Sequence, residues 1–316
     1  MKKKMWILLL GLHLSIGSFA GDGTNHKEHL NLELREAALI DDTDIIKALL
    51  DRGADANASN EFGKTALMRA VEGGSTESAT LLISKGADIN ARTIAGCTAL
   101  TFAAEFGRDD ISAMLIDNGA DVYDRTRAGW DALTIASRLG YDLVVAQLLA
   151  SKADVSVSDH YGDTPLIGAA EKGFTKVIDL LIQYHANIEQ SNRKGITPLI
   201  QAAANGQDEA VKLLLDKGAN VNATDKEQAS ALLWATEAGH LSTVTLLLEH
   251  VANINIVDEE KITPLMEAVS NGNIELVTLL IEKGADLSLK DENGKTALDI
   301  ATEAKRTEII ALLTKK

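Results

Sequence analysis

Apolar residues along this chain fall in short clusters, each closed by a glycine or a polar turn, and the clusters return every 33 residues. Residues 159–191 show one period. Asp159-His160-Tyr161-Gly162 reads as a tight turn whose glycine supplies positive φ. Thr164 stands where a helix N-cap would, and Pro165 follows at the first helical position, where its missing N–H costs nothing. The pattern predicts a short helix from Leu166 to Glu171, ending near Gly173, and a second from about Thr175 to Tyr184. On that second helix Val177, Ile178, Leu180, Leu181 and Ile182 make an apolar face too wide for one pair of helices to bury. Neighbouring periods must cover it.

Three series keep the same phase. Thr65-Ala66-Leu67, Thr98-Ala99-Leu100, Asp131-Ala132-Leu133, Thr164-Pro165-Leu166, Thr197-Pro198-Leu199, Ser230-Ala231-Leu232, Thr263-Pro264-Leu265 and Thr296-Ala297-Leu298 open the first helices at steps of 33. Gly53-Ala54-Asp55, Gly86-Ala87-Asp88, Gly119-Ala120-Asp121, Gly218-Ala219-Asn220 and Gly284-Ala285-Asp286 follow the second helices. An interior glycine separates the two helices at Gly74, Gly107, Gly140, Gly173, Gly206, Gly239 and Gly272.

Turn glycine, Thr-Pro-Leu start, interior glycine and Gly-Ala-Asp exit together resemble the ankyrin repeat over residues 31–316. The resemblance implies an all-α solenoid of about nine helix-turn-helix units, each with a projecting β-turn finger. The expected units are 31–59 (the N-terminal cap repeat), 60–92, 93–125, 126–158, 159–191, 192–224, 225–257, 258–290 and 291–316 (the C-terminal cap repeat). The first lacks a finger and carries polar Arg35, Glu36, Asp41, Asp42 and Asp44, as an end unit should. The last places Lys305 where the others have the interior glycine.

Departures from the family pattern carry their own expectations. The histidine that usually follows the Thr-Pro-Leu start is replaced throughout by Met68, Thr101, Thr134, Ile167, Ile200, Leu233, Met266 and Asp299, so mostly apolar packing should replace its lateral hydrogen bonds. Lys152, His185 and Val251 stand in place of the exit glycine. A left-handed residue with a Cβ costs on the order of 1 kcal/mol, more when β-branched. The helix ending at His250 is therefore expected to be strained or to end differently. Gln228 and Lys261 replace the turn glycine, which predicts two irregular fingers.

Composition narrows the class. The chain has 316 residues, 46% apolar and 24% charged, which suits a globular protein. Its 31 basic and 46 acidic residues leave a net charge of −15, which argues against a nucleic-acid partner. The single cysteine, Cys97, excludes an internal disulfide and a cysteine-rich zinc module. Lys2, Lys3 and Lys4, the apolar run from Trp6 to Leu14, and small Ser18 and Ala20 predict a signal peptide over 1–20, cleaved after Ala20. The run is too short for a membrane span, and losing three lysines with it takes the net charge to −18. Residues 21–30 read as a polar linker. An exported monomer is expected, periplasmic or secreted, with no membrane span after cleavage.

Catalytic constellations are sparse: there is no glycine-rich phosphate loop, no Gly-x-Ser-x-Gly elbow and no His-Glu-x-x-His. No catalytic residue, metal or cofactor is expected. His26 and His29, three residues apart, carry the alternative of a metal-binding or enzymatic role. His240 is read as structural, and Cys97 as a finger-base residue on the concave side.

Surface remains. The resemblance implies partner contacts at the finger tips and on the exposed side of the first helix, and those phases select Phe62, Ile94, Phe106, Arg127, Trp130, Arg138, Leu139, His160 and Tyr161 as protein-binding residues. Trp, Tyr and Arg dominate binding hot spots because they bury much area at low entropy cost. Phe62, Phe106, Trp130 and Tyr161 fall in four consecutive units, so a contiguous patch is expected; the competing reading has these rings pack between fingers and stiffen the stack. Trp234 sits one step deeper, in line with Phe102 and Ile135, and reads as structural. Farther along, Arg193, Lys194 and Lys226 give way to Asp258, Glu259, Glu260, Asp291 and Glu292. The expected function is a non-catalytic scaffold that binds a protein partner through its concave face and finger tips. A secreted protein acting on another cell is the other alternative.

Overall fold

The computed structural model describes residues 23–315; the expected leader and its cleavage site lie outside them. Among the described residues eighteen helices form nine pairs. In chain order these are α1 (Gly23–Leu39) with α2 (Thr43–Asp51), α3 (Ala66–Gly73) with α4 (Thr76–Ser84), α5 (Ala99–Glu105) with α6 (Asp109–Asp117), and α7 (Ala132–Leu139) with α8 (Asp142–Ala150). Next come α9 (Pro165–Lys172) with α10 (Thr175–Gln183), α11 (Pro198–Ala204) with α12 (Asp208–Asp216), and α13 (Ala231–Glu237) with α14 (Leu241–Glu249). The last pairs are α15 (Pro264–Asn271) with α16 (Ile274–Glu282), and α17 (Ala297–Glu303) with α18 (Thr307–Thr314). None of the helices described is long and apolar enough to cross a membrane.

Helices this short are marginal alone in water, and two devices hold them. The first is capping. Thr164 accepts a hydrogen bond from the Ile167 N–H at 3.2 Å with Pro165 in the first helical turn, and Thr, Ser or Asp does the same at every equivalent position. The second is stacking. Leu67, Leu100, Leu133, Leu166, Leu199, Leu232 and Leu265 form a buried row along the first helices, and Leu82, Leu115, Leu148, Leu181, Leu214, Leu247 and Leu280 form one along the second. One continuous core results, each layer completing the next. At the position after the start, Met68, Ile167, Ile200, Leu233 and Met266 are buried, as the missing histidine implies.

Fingers are joined by main-chain hydrogen bonds. Ile94 N–H donates to Phe62 C=O at 3.0 Å, Arg127 to Ala95 at 2.8 Å, Arg193 to Tyr161, Lys226 to Lys194 and Glu259 to Glu227 at 3.0 Å, and Glu292 to Glu260 at 2.9 Å. The corresponding bond from His160 to Ala128 is not formed. A side chain bridges that junction instead: the Trp130 indole N–H donates to Asp159 Oδ2 at 2.9 Å. A second ladder runs along the loops after the second helices, where Asn57, Asn90, Asn222 and Asn255 accept from the main chain of the next unit at 2.6–2.9 Å.

Two sequence expectations need correction, and a third is narrowed to one of its alternatives. Residues 23–30, expected as part of a polar linker over 21–30, are the first turns of α1, and Leu30 is buried in the core; Asn31 of the same helix accepts from the Asp55 N–H at 2.8 Å. The fingers at Gln228 and Lys261 are regular: both residues take φ of +62° and +63°, and the Glu259–Glu227 bond between these fingers is intact. The helix before Val251 ends as its counterparts do, with Val251 N–H on Leu248 C=O at 3.1 Å. Strain is what distinguishes it, since this β-branched residue holds φ +65°.

Candidate protein-binding groove

Sequence periodicity places one finger residue and one helix-end residue of each unit on the same side, and stacking turns these into two parallel walls. Between them, over the units from Phe62 to Leu139, lies an open groove of about 1230 Å³. Phe62, Ile94, Arg127 and Trp130 line it from the fingers; Phe106, at the end of α5, and Arg138 and Leu139, in the last turn of α7, line it from the helices. Phe62, Ile94, Leu139 and Phe106 expose 61%, 56%, 44% and 39% of their surface to water. The floor is Phe102, Ile135 and Cys97, all of them covered or half-covered. Phe102 and Phe106 lie nearly parallel, ring centroids 6.3 Å apart at 10°.

The groove therefore gathers seven of the nine residues selected from the sequence. His160 and Tyr161 are not among its lining. They occupy the next finger tip, where Tyr161 is 75% exposed and the His160 ring packs over Gly129, so close that a Cβ at that glycine would stand 3.0 Å from it.

Trp130 differs from the expectation of a free aromatic. It is half-buried, its indole N–H is committed to Asp159, and the Arg138 guanidinium carbon lies 5.4 Å from its ring centroid. A half-buried indole N–H needs an acceptor, and Asp159 supplies it. Asp159 in turn accepts from the Tyr161 and Asp163 main-chain N–H groups at 2.8 and 3.0 Å, so Trp130 is tied to the turn of the next finger. Trp234 does the same within its own unit, donating to Asp225 Oδ2 at 2.8 Å.

Charges along the groove divide into paired and unpaired. Lys64 Nζ is 2.5 Å from Glu72 and 4.8 Å from the Phe102 ring centroid. Burial alone would raise the Glu72 carboxyl, but hydrogen bonds from Lys64 and Arg69 hold it below the usual range. Arg138 and Lys172 share Glu171 at 3.3 and 2.8 Å. Arg127 is exposed and, among the described residues, has no carboxylate within 4.0 Å. The small finger residues Thr93, Ala95, Thr126 and Ala128, which no binding-residue phase selected, also line the groove. Their only sequence signal is smallness.

Among the described residues, His26 and His29 assemble no metal cluster. His29 Nδ1 is 3.3 Å from Glu33 one turn along α1, and no group of three or more His, Cys, Asp or Glu among the described residues stands close enough to hold a metal. His240 contacts the Ala204 carbonyl at 3.3 Å and packs at Gly206, between units.

A family model described as ankyrin repeats (3 copies) matches residues 34–126, 133–225, 184–258 and 232–316. No curated protein matches the chain. Ankyrin repeats are generally protein–protein interaction modules and typically non-catalytic. The family matches run over nearly the whole stack of paired helices and fingers described above, and the chain belongs to the ankyrin-repeat family.

Proposed function

We propose that this protein is a non-catalytic scaffold that grips a protein partner in the groove between Phe62 and Leu139. One observation carries the reading: Phe62, Ile94, Phe106 and Leu139, from three successive units, leave large apolar surfaces in water side by side. A monomer gains nothing from such a patch, whereas a partner that covers it gains roughly 25 cal/mol per Å² of apolar area removed from water. Export belongs to the same reading and rests on Lys2 to Lys4, the apolar run after them and Ala20. Sequencing the N-terminus of the mature protein tests that part, with Gly21 as the expected first residue.

The binding part is tested with Phe62→Ser and Ile94→Ser combined. Both side chains are mostly in solvent, and their finger bond is made by the main chain, so helicity and melting should hold. Capture of a partner from an envelope extract should fall by roughly tenfold or more, equivalent to about 1.4 kcal/mol. Wild-type capture by the double variant would remove the groove from the interface. Trp130→Ala is the poorer probe, because it also breaks the tie to Asp159.

A further inference from the structure

Beyond the groove, the chemistry of the finger tips changes twice. Phe62 and Ile94 begin the row; Arg127, Arg193, Lys194 and Lys226 follow; Glu259, Glu260 and Glu292 end it. All four cations and all three carboxylates are exposed, and none has an opposite charge within 4.0 Å among the described residues. Elsewhere this chain pairs its charges across units, as in Arg92 with Asp124 and Lys217 with Asp179. In a protein of net charge −15, four unpaired cations in one row mark a place where an external carboxylate is favoured. The acidic end is crowded with its own sign: burial, then Glu237 and Asp258, push the Glu267 carboxyl above its usual range, a condition an external cation would relieve. The exceptions in the row are Glu61 beside Phe62, Tyr161 between the cations, and Lys261 and the Glu227 side chain at the border of the two charged zones.

We propose that one extended segment of a partner polypeptide lies along this row, its chemistry running apolar, acidic, basic, with the apolar end over Phe62 and Ile94 and the basic end over Glu259, Glu260 and Glu292. The inference rests on the reading of the groove as a protein-binding site. An extended rather than helical segment fits the one broken finger bond: the His160 N–H and Ala128 C=O, both on exposed residues, are left as a main-chain donor and acceptor midway along the row. Adjacent packed helices lie about 8–10 Å apart. The seven steps between the eight fingers then span about 60 Å, which an extended chain at about 3.3 Å per residue crosses in about 20 residues.

Three fluorescent probes test this against the full chain by anisotropy: a synthetic peptide of about 20 residues in the block order apolar–acidic–basic, the same composition as apolar–basic–acidic, and a single-stranded oligothymidine of equal length. The first should bind roughly tenfold or more tightly than the second, and the oligonucleotide weakest. Exchanging the charges of six exposed side chains (Arg193→Glu, Lys194→Glu, Lys226→Glu, Glu259→Lys, Glu260→Lys and Glu292→Lys) should invert the preference between the two peptides, with the helical spectrum unchanged. Equal affinity for both peptides, no binding of either, or tighter binding of the oligonucleotide overturns the proposal. If it fails while Phe62→Ser with Ile94→Ser still abolishes partner capture, the groove remains a binding site for a partner of different chemistry.

Discussion

At the scale of the residue, backbone φ shows how the repeat tolerates lost glycines. Exit glycines take φ between +85° and +94°, whereas Lys152, His185 and Val251 in the same place take +65° to +68°. The side-chain-bearing residues have slid toward the left-handed well near +57° open to L-amino acids. Space is not the obstacle, since a Cβ built on Gly53, Gly86, Gly119, Gly218 or Gly284 meets nothing within 4 Å. What remains at Val251 is conformational cost, and its side chain, 81% exposed, gives little packing in return. Val251→Gly is expected to stabilise the protein by on the order of 1 kcal/mol, read as a higher melting temperature. Asp131 offers a second test. It alone among the first-helix caps is a carboxylate, accepting from the Thr134 N–H and hydroxyl at 2.8 Å, and its burial raises it above the ordinary 3.8 despite those bonds. Because the folded state then holds the proton more tightly than the unfolded chain, the ionised cap lowers stability at neutral pH, and that penalty fades as pH falls through the carboxylate range. Asp131→Thr, the residue at six sister positions, should raise the melting temperature at pH 7 and lose its advantage below about pH 4.

At the scale of the element, the junction between units 126–158 and 159–191 stands apart. Six finger junctions carry a main-chain bond, and this one relies on Trp130 with Asp159. The asparagine ladder also lapses nearby, where Tyr123 replaces an asparagine and donates its hydroxyl to the Lys152 carbonyl at 3.1 Å. Hydrogen exchange should therefore find the His160 amide opening faster than those of Ile94, Arg127, Arg193 and Lys226. Trp130→Phe should accelerate exchange across both adjoining fingers and lower stability by about 1 kcal/mol. Equal protection at all these amides would mean that the junction is as tight as its neighbours. Helix starts, caps and loop phases in the units after the first were legible from the 33-residue pattern, because each depends on residues close in sequence. The Trp130–Asp159 tie was not, since it joins side chains 29 positions apart whose meeting depends on how two fingers stack.

At the scale of the molecule, stacking makes one long core and one long charged surface. The net charge of −15 works against compaction, so moderate salt should raise the melting temperature relative to low ionic strength. A flat or falling response in calorimetry would show that the cross-unit ion pairs outweigh the self-repulsion. Salt should act in the opposite sense on the proposed partner, slowing association at the cationic fingers as it screens them.

Periodicity alone determined that this chain is a row of helix pairs with projecting turns, because a module that cannot bury its own apolar face has stacking as its stable outcome. The resemblance to the ankyrin repeat added which phases face the finger side, and so brought Phe62, Ile94, Phe106, Arg127, Arg138 and Leu139 into view. Only the tertiary structure decided that α1 begins at Gly23, that the fingers at Gln228 and Lys261 keep their shape, and that Trp130 is bound into the stack. Each of these outcomes turns on contacts between units: buried neighbours for Leu30, the finger bond for Gln228, and an acceptor on the next turn for the indole. Such contacts exist only once the copies are laid side by side.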